Sequence, residues 1–403
     1  MIHLYSLVWK LFHILEPIWQ KNNRYSQFRS RQTKTWQSFL TTPLPKGSKR
    51  YWLHGASVGE LDQVRGLSRE IQKQEPESVI LVSTFSESVT ARQLQSEDWD
   101  FGIYLPWENK KEYQMILEHL EPKIFVVFAW DIWPILLSLL KKKGTKLYFG
   151  AAGFSKTSSR LKFPLKSLTT FSLGLFDNIY PAHNSFVDTF EKLLPNREFE
   201  VVGDTRIDTV LDKIEIKKEP LERLLSDLES PIVFGSTYVS CEIGIELWRE
   251  KYPKENIWVF PHKYEKERSK SWQNYIHWSE ILDGSKKPSQ SIVFDILGNL
   301  AFAYRYAKAA YIGGAFHNRV HNTLEPAAFG LPIFTGPKIA NASEAMNMNK
   351  LGGLIILSSP LSMVEIMEPD WIASNGKELG KKNLEFVLES KGASRRLFEK
   401  IKN

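Results

Sequence analysis

From residue 50 onward, short runs that are apolar throughout alternate with longer stretches in which apolar residues recur every three or four positions. The first pattern predicts strands and the second amphipathic helices. RYWLH (50–54), SVILVST (78–84), FGIYLP (101–106), KIFVVFAW (123–130), KLYFGAA (146–152), NIYPAH (178–183) and FEVVGD (199–204) form a first series of expected strands. A charged stretch with helical spacing, 209–230, separates it from a second series: PIVFGS (231–236), IWVFPH (257–262), SIVFD (291–295), AAYIGG (310–314), PIFTG (332–336) and LIILSS (354–359). Strands without polar alternation belong to parallel sheets covered on both faces. The pattern therefore predicts two consecutive doubly wound, Rossmann-like α/β domains, 41–208 and 209–403. Ligands of such sheets lie beyond the carboxyl ends of the strands, so the expected site is the cleft that the two domains face.

The first 40 residues follow another rule. In MIHLYSLVWKLFHILEPIWQ the polar residues His3, Ser6, Lys10, His13 and Gln20 make a narrow stripe on a broad apolar helix, and Tyr5, Trp9 and Trp19 are aromatics that favour a membrane interface. KNNRYSQFRSRQTK (21–34) adds five cations. A helix packed on the protein's own body is the plain alternative, but packing alone does not account for the cations. Residues 1–40 are expected to be a membrane anchor lying on anionic lipid. The stretch is too interrupted for an evident span, and it has neither the basic start nor the small-residue cleavage site of a removable signal.

Charge sharpens this picture. The chain carries a net +7, yet residues 1–50 hold nine Lys or Arg against one acid, Glu16, so the remainder is close to neutral. A nucleic-acid protein would carry its basic surface on the folded body, and no nucleic-acid partner is expected. The single cysteine, Cys241, excludes an internal disulfide framework and fits a reducing compartment. With the positive-inside bias it points to the cytoplasmic face of a membrane. No Cys/His cluster has zinc spacing. No G-x-G-x-x-G with a suitably placed acid follows a predicted strand, which argues against an NAD enzyme.

Two stretches carry candidate chemistry. HGASVGE (54–60) is a turn of small residues between a strand and a helix, and it ends on a carboxylate. Ser57 and Glu60 satisfy the capping-box spacing, which would tie the Glu60 side chain back to the Ser57 N–H. A general base would instead turn outward, and the expectation is that Glu60 faces the cleft, kept ionised by the helix N-terminus. In YIGGAFHNRVHNTLEPAAFGLPIFTGPKIAN (311–341), a helix is expected to open near Asn322 or Thr323, with Pro326 in its first turn. Its amides would suit a phosphate, and Glu325 a ribose. The local alternative is a cap pairing Asn322 with Glu325.

HGASVGE, FAWDIWP (128–134), VGDTRID (202–208), GSTY (235–238), FPHK (260–263) and HNTLEPAAFGLPIFTGP (321–337) occur in an order and spacing that resembles the 3-deoxy-D-manno-octulosonic acid (Kdo) transferases of lipopolysaccharide assembly. The resemblance covers nearly the whole chain. It implies a GT-B glycosyltransferase at the cytoplasmic face of the inner membrane, moving Kdo from CMP-Kdo to a lipid A precursor hydroxyl with inversion, without metal or cofactor. By resemblance, Glu60 matches the general base, and Asp131 and Arg206 match a glutamate and a lysine with transition-state roles. His262 and Lys263 stand at an Arg-His pair beside the nucleotide. Gly298, Asn299 and Leu300, with Asn322, Thr323, Leu324 and Glu325, match stretches lining CMP.

The chemistry is coherent by itself. An alcohol needs a positioned carboxylate to take its proton, and a departing nucleotide needs a cation such as Arg206 or Lys263. The departures from the family cluster at polar positions. Ala129 and Asp131 replace two glutamates, and Tyr238 a histidine. Gly153 replaces an arginine, Asn299 a carboxylate, and Arg319-Val320 two glycines. The VSTFSES turn (82–88) lacks the threonine-rich pattern and its closing glycine. They leave a diverged GT-B enzyme with another donor or acceptor, or an inactive membrane-bound relative, as the alternative functions.

Overall fold

The computed structural model describes residues 2–403 except 20–22, 130, 155–157, 217–228, 265–271 and 341. Trp130 of the FAWDIWP motif, and most of the expected helical stretch 209–230, therefore lie outside the described residues. The chain forms two compact units, one of Met1–Thr209 with Gly392–Asn403 and one of Val210–Lys391.

The first unit holds a six-stranded sheet of β1 (Arg50–His54), β2 (Val79–Thr84), β3 (Phe101–Tyr104), β4 (Ile124–Phe128), β5 (Lys146–Ala152) and β6 (Asn178–Pro181). All neighbours are parallel, in the order β3-β2-β1-β4-β5-β6. Strand β1 shows why the runs are apolar throughout. Trp52 points into one buried cluster while Tyr51 and Leu53 point into another on the opposite face, and all three are fully buried. Each such side chain contributes roughly 1.5–3 kcal/mol of hydrophobic stabilisation.

The expected seventh strand, 199–204, is not one. Val202 N–H donates to Pro181 O at 3.2 Å, and Gly203 turns left-handed at φ 95°. The segment buries Val202 beside the end of β6 without building a ladder.

Helices cover both faces. The segment 1–40, expected to be a separate anchor, is part of this unit as two helices, α1 (Ile2–Trp19) and α2 (Asn23–Leu40). Helix α2 buries Phe28, Gln32, Trp36 and Phe39, a stripe at helical spacing, and leaves Gln27, Ser30, Arg31 and Lys34 exposed. Helix α3 (Val58–Gln74) covers the other face with Leu61, Val64, Leu67 and Ile71. Beside it lies the helix Ala393–Ile401, which buries Leu397, Phe398 and Ile401. The expected second domain ran to residue 403. Instead, residues 392–403 return to the first unit, where Asp208 accepts from the N–H groups of Gly392 and Ser394, both at 2.7 Å.

The second unit holds a seven-stranded sheet of β7 (Ile232–Thr237), β8 (Ile257–Pro261), β9 (Ile276–His277), β10 (Ser291–Val293), β11 (Ala309–Ile312), β12 (Ile333–Thr335) and β13 (Leu354–Ile356). It is parallel throughout, in the order β13-β12-β11-β7-β8-β10-β9. The two-residue edge strand β9 has no apolar run to announce it. Both sheets have the doubly wound form, with one switch point each where the winding reverses: between β1 and β4, and between β7 and β11.

Candidate functional site

At the first switch point the chain leaves β1 through Gly55, Ala56 and Ser57. A Cβ at Gly55 would lie 2.9 Å from Val64 Cγ2 and 3.0 Å from the Glu60 backbone, so the small residue lets α3 start close against the strand. Glu60 folds back, and its Oε2 accepts from the Ser57 N–H at 3.0 Å. This is the cap arrangement, not the outward-turned side chain expected of a base. The carboxylate is nonetheless within electrostatic reach of Asp131. Burial, then Asp131, raises the pKa of Glu60 against the lowering effects of His54 and the amides of Ala56 and Ser57. The helix N-terminus was expected to favour ionised Glu60, and burial beside a second carboxylate acts in the opposite direction.

Asp131 comes from the other side of the switch. Strand β4 is followed by Ala129, a non-glycine residue held at φ 52°, a conformation that costs roughly 1–3 kcal/mol and gathers at functional sites. Asp131 Oδ2 lies 3.0 Å from His54 Nε2 and accepts from Trp133 Nε1 at 3.0 Å. His54 is wholly buried, and its Nδ1 meets Ser83 Oγ at 2.8 Å. Ser83 is the register partner of His54 on β2, and its oxygen also accepts from Trp52 Nε1 at 2.8 Å. The fold thus joins β1, β2 and β4 through one polar chain, although Asp131 stands 77 residues from His54.

Three features beside it escaped the sequence reading. Glu108 is 1% exposed, and its Oε1 accepts from the Ile135 N–H at 3.1 Å, capping the helix Pro134–Lys142 that follows Asp131. Burial pushes its pKa up to about 8 against its backbone hydrogen bonds. Half-buried rings form a wall there: Phe85 to Trp133 at 4.6 Å, Phe85 to Trp107 at 5.4 Å and Phe12 stacked on Trp107 at 5.2 Å. Arg160 interacts electrostatically with Asp131, and burial lowers its pKa. Only the aromatic density of LPWENKK and DIWP hinted at the wall, and a charged residue such as Glu108 in a polar run gives no sign of burial.

Arg206 was expected to face a departing anion. Its Nε and Nη2 instead donate to Asp204 Oδ2, at 2.9 and 2.5 Å, and Gln63 of α3 donates to the other Asp204 oxygen at 3.2 Å. Thr205 and Thr209 donate to the carbonyls of Gln63 and Asp62, both at 2.8 Å. The loop carrying Arg206 is thereby docked one turn beyond Glu60, with Asp204 matching the guanidinium charge.

The second switch point gathers the remaining candidates. Tyr238 follows β7, His262 follows β8, and His317 and His321 follow β11. The Tyr238 ring stacks with those of His262 and His317, both at 4.9 Å, and its hydroxyl lies 3.0 Å from His321 Nε2. Stacking on Tyr238 strips water from one face of the otherwise exposed His262 ring, and this desolvation lowers its pKa, helped by Lys263 and His317. Burial pushes His321 down to about 4, with His262 and Arg319 adding to the effect. Gly314, at φ 92°, has no room for a Cβ beneath the Arg319 carbonyl. His262 and Lys263 are exposed.

The stretch 322–325 departs from the expected cap. Asn322 Oδ1 accepts from Leu324 N–H at 3.0 Å, but Glu325 pairs with Lys213 at 3.3 Å rather than with Asn322. The helix it opens, Leu324–Ala328, has only five residues, with Pro326 buried inside it, so few amides remain for a phosphate. Thr323 and Leu324 are buried. Gly298 is exposed at φ 94°, Asn299 precedes the short helix Leu300–Ala303, and Leu300 lies under Gly235 of β7. All these residues therefore sit at the carboxyl ends of strands of one sheet.

A family profile described as "3-Deoxy-D-manno-octulosonic-acid transferase (kdotransferase)" matches residues 23–209. The 3-deoxy-D-manno-octulosonic acid transferase of Haemophilus influenzae is 24% identical over 399 residues, covering 95% of this chain and 92% of that protein. Among solved structures, the UDP-GlcNAc 2-epimerase of Neisseria meningitidis superposes with a TM-score of 0.61 at 14% identity, over 87% of this chain and 98% of that one. A glycosyltransferase from Rickettsia africae gives 0.57 at 13% identity, over 88% and 97%. These likenesses establish the GT-B fold of two Rossmann-like units.

Proposed function

We propose that this chain, whose residues 23–209 match the Kdo transferase profile, belongs to that family and transfers Kdo from CMP-Kdo to a hydroxyl of a lipid A precursor. The observation that supports this reading most directly is that Asp131, bonded to His54, lies within electrostatic reach of Glu60 at the first switch point. There, a raised pKa makes the Glu60 carboxylate a stronger base toward the acceptor's hydroxyl proton. A carboxylate has lone pairs to spare after one hydrogen bond, so Glu60 can keep its bond to Ser57 and still accept the hydroxyl proton. The acceptor oxygen forms its bond to the anomeric carbon of Kdo as the bond from that carbon to the phosphate oxygen breaks. Single displacement inverts the centre and releases CMP.

In this reading His262 and Lys263, with Gly298, Asn299, Leu300 and Asn322 to Glu325, line the nucleotide. Lys263 supplies positive charge to the leaving phosphate. Arg206, already matched by Asp204, acts by holding its loop on α3 more than by offering a bare cation. Asp131 orients the reacting groups beside the aromatic wall.

The acceptor's lipid character fits α1. Its inner face packs Ile2, Tyr5 and Trp9 against the first unit, as the plain alternative held, while Leu4, Leu7, Val8, Leu11, Ile14 and Ile18 stay exposed on its outer face. No helix among the described residues is long and apolar enough to cross a membrane. The reading is therefore a helix lying in the inner-membrane surface at its cytoplasmic face, with Arg31 and Lys34 of α2 toward anionic headgroups.

The test is CMP release by purified protein given CMP-Kdo and a tetra-acylated lipid A precursor. Glu60→Gln keeps the cap's shape, so a general base predicts a rate loss of about 100-fold or more with little change in thermal stability. Full activity of that variant removes Glu60 from the chemistry, and turnover of a different sugar nucleotide in place of CMP-Kdo replaces the donor.

A further inference from the structure

His54 is buried beyond the reach of a substrate, yet it holds one of the two hydrogen bonds converging on Asp131 Oδ2. What lies behind it fixes how it can do so. An indole nitrogen only donates and a carboxylate only accepts, so the polarity of the chain is set from both ends. Asp131 Oδ2 takes the Nε2 proton of His54, and Ser83 Oγ, which accepts from Trp52 Nε1 at 2.8 Å, turns its own proton to Nδ1, also at 2.8 Å. An imidazole accepting at Nδ1 while neutral carries its proton on Nε2, 3.0 Å from the Asp131 carboxylate.

Here we propose that Trp52, Ser83 and His54 form a positioning relay that locks His54 as the neutral Nε2–H tautomer and so presents Asp131 as an oriented, ionised carboxylate. The inference rests on the reading of Asp131 as a group in the transfer reaction. A neutral donor orients the carboxylate without cancelling its charge, which an imidazolium would do. His54 and Trp133 both bind Oδ2, which fixes the carboxylate plane from two directions. The other charged groups that act on Asp131 and its neighbours are Glu60, Glu108 and Arg160, none of which bonds to the imidazole ring among the described residues.

The full chain labelled with nitrogen-15 in its histidines reads the tautomer directly, His54 being assigned by the resonance lost in His54→Gln. The Nε2–H form near neutral pH is the expected result, with that bias weakened in Ser83→Ala. An Nδ1–H tautomer or an imidazolium in the unmodified chain would overturn the relay.

Kinetics separate positioning from mere packing. His54→Gln can still offer an N–H to Asp131 and should keep turnover within about tenfold. His54→Leu should lower kcat by a further 10–100-fold, roughly the cost of losing such an outer partner, while KM for both substrates stays nearly constant. Equal losses in the two variants overturn the proposal. Should His54→Leu not fold, Ser83→Ala takes its place: a kcat loss at constant KM supports the relay, and unchanged kcat overturns it. The reading beneath it fails separately, through full turnover by Asp131→Asn, whatever tautomer is seen.

Discussion

Glu60 shows how a single residue can satisfy two readings that look exclusive in sequence. The capping-box spacing fixed where its side chain would go if nothing else acted, and one oxygen does go there. The approach of Asp131 was not legible, since it depends on which strand lies beside β1. Glu108 was missed for a related reason: its burial comes from the helix it caps, not from its neighbours in sequence. That burial has a measurable sign. An ordinary carboxyl titrates near 4.5, whereas Glu108 in the folded chain is pushed up to about 8. The folded state therefore holds this proton more tightly than the unfolded chain does. The resulting stability is full below about pH 4.5 and is lost as pH rises through 8. Thermal unfolding between pH 5 and 8.5 should show the wild type losing stability more steeply than Glu108→Gln, which keeps an acceptor for Ile135. Parallel curves would place the titration elsewhere.

Among the elements, strands buried on both faces were the easiest to read. Six of the seven expected in the first unit are present, and the six expected in the second are joined by the short β9. Segment 199–204 was misread because an apolar run needs only a place to bury its side chains, and it found one beside β6 without a ladder. Helix α1 is the opposite case. Apolar residues nearly all round its axis reflect two different burials, one against Trp107 and Trp133 and one still open. Replacing Leu7 and Leu11, 61% and 56% exposed, by glutamate should leave the fold intact. It should weaken binding to anionic vesicles by about tenfold for each leucine, the scale of removing a buried side chain of that size from lipid. Unchanged sedimentation with vesicles would count against an interfacial α1.

For the whole molecule, the alternation of strands and helices made two doubly wound units legible, and the placement of the candidate residues at strand ends followed from that topology. The crossing of the last helix back to the first unit was not legible. ASRRLFEKI looks like any amphipathic helix, and nothing in it says which sheet its Leu397 and Phe398 will cover. The contact is held by Asp208 through two charge-assisted bonds to Gly392 and Ser394. Asp208→Ala should therefore destabilise the first unit by about 2–4 kcal/mol. Limited proteolysis should then reach residues 50–209 at lower denaturant concentration than in the wild type, and an unchanged profile would mean that the apolar face of the helix suffices.

That returning helix also bears on the order in which the protein can be completed. Residues 210–391 are continuous and can settle as soon as they leave the ribosome. The unit begun first has to wait, one flank of its sheet uncovered where Leu397, Phe398 and Ile401 belong, until residues 392–403 have followed the second unit. Of the two units, the one begun first is thus completed second, and its exposed apolar flank is what a nascent-chain chaperone would have to shield in the interval.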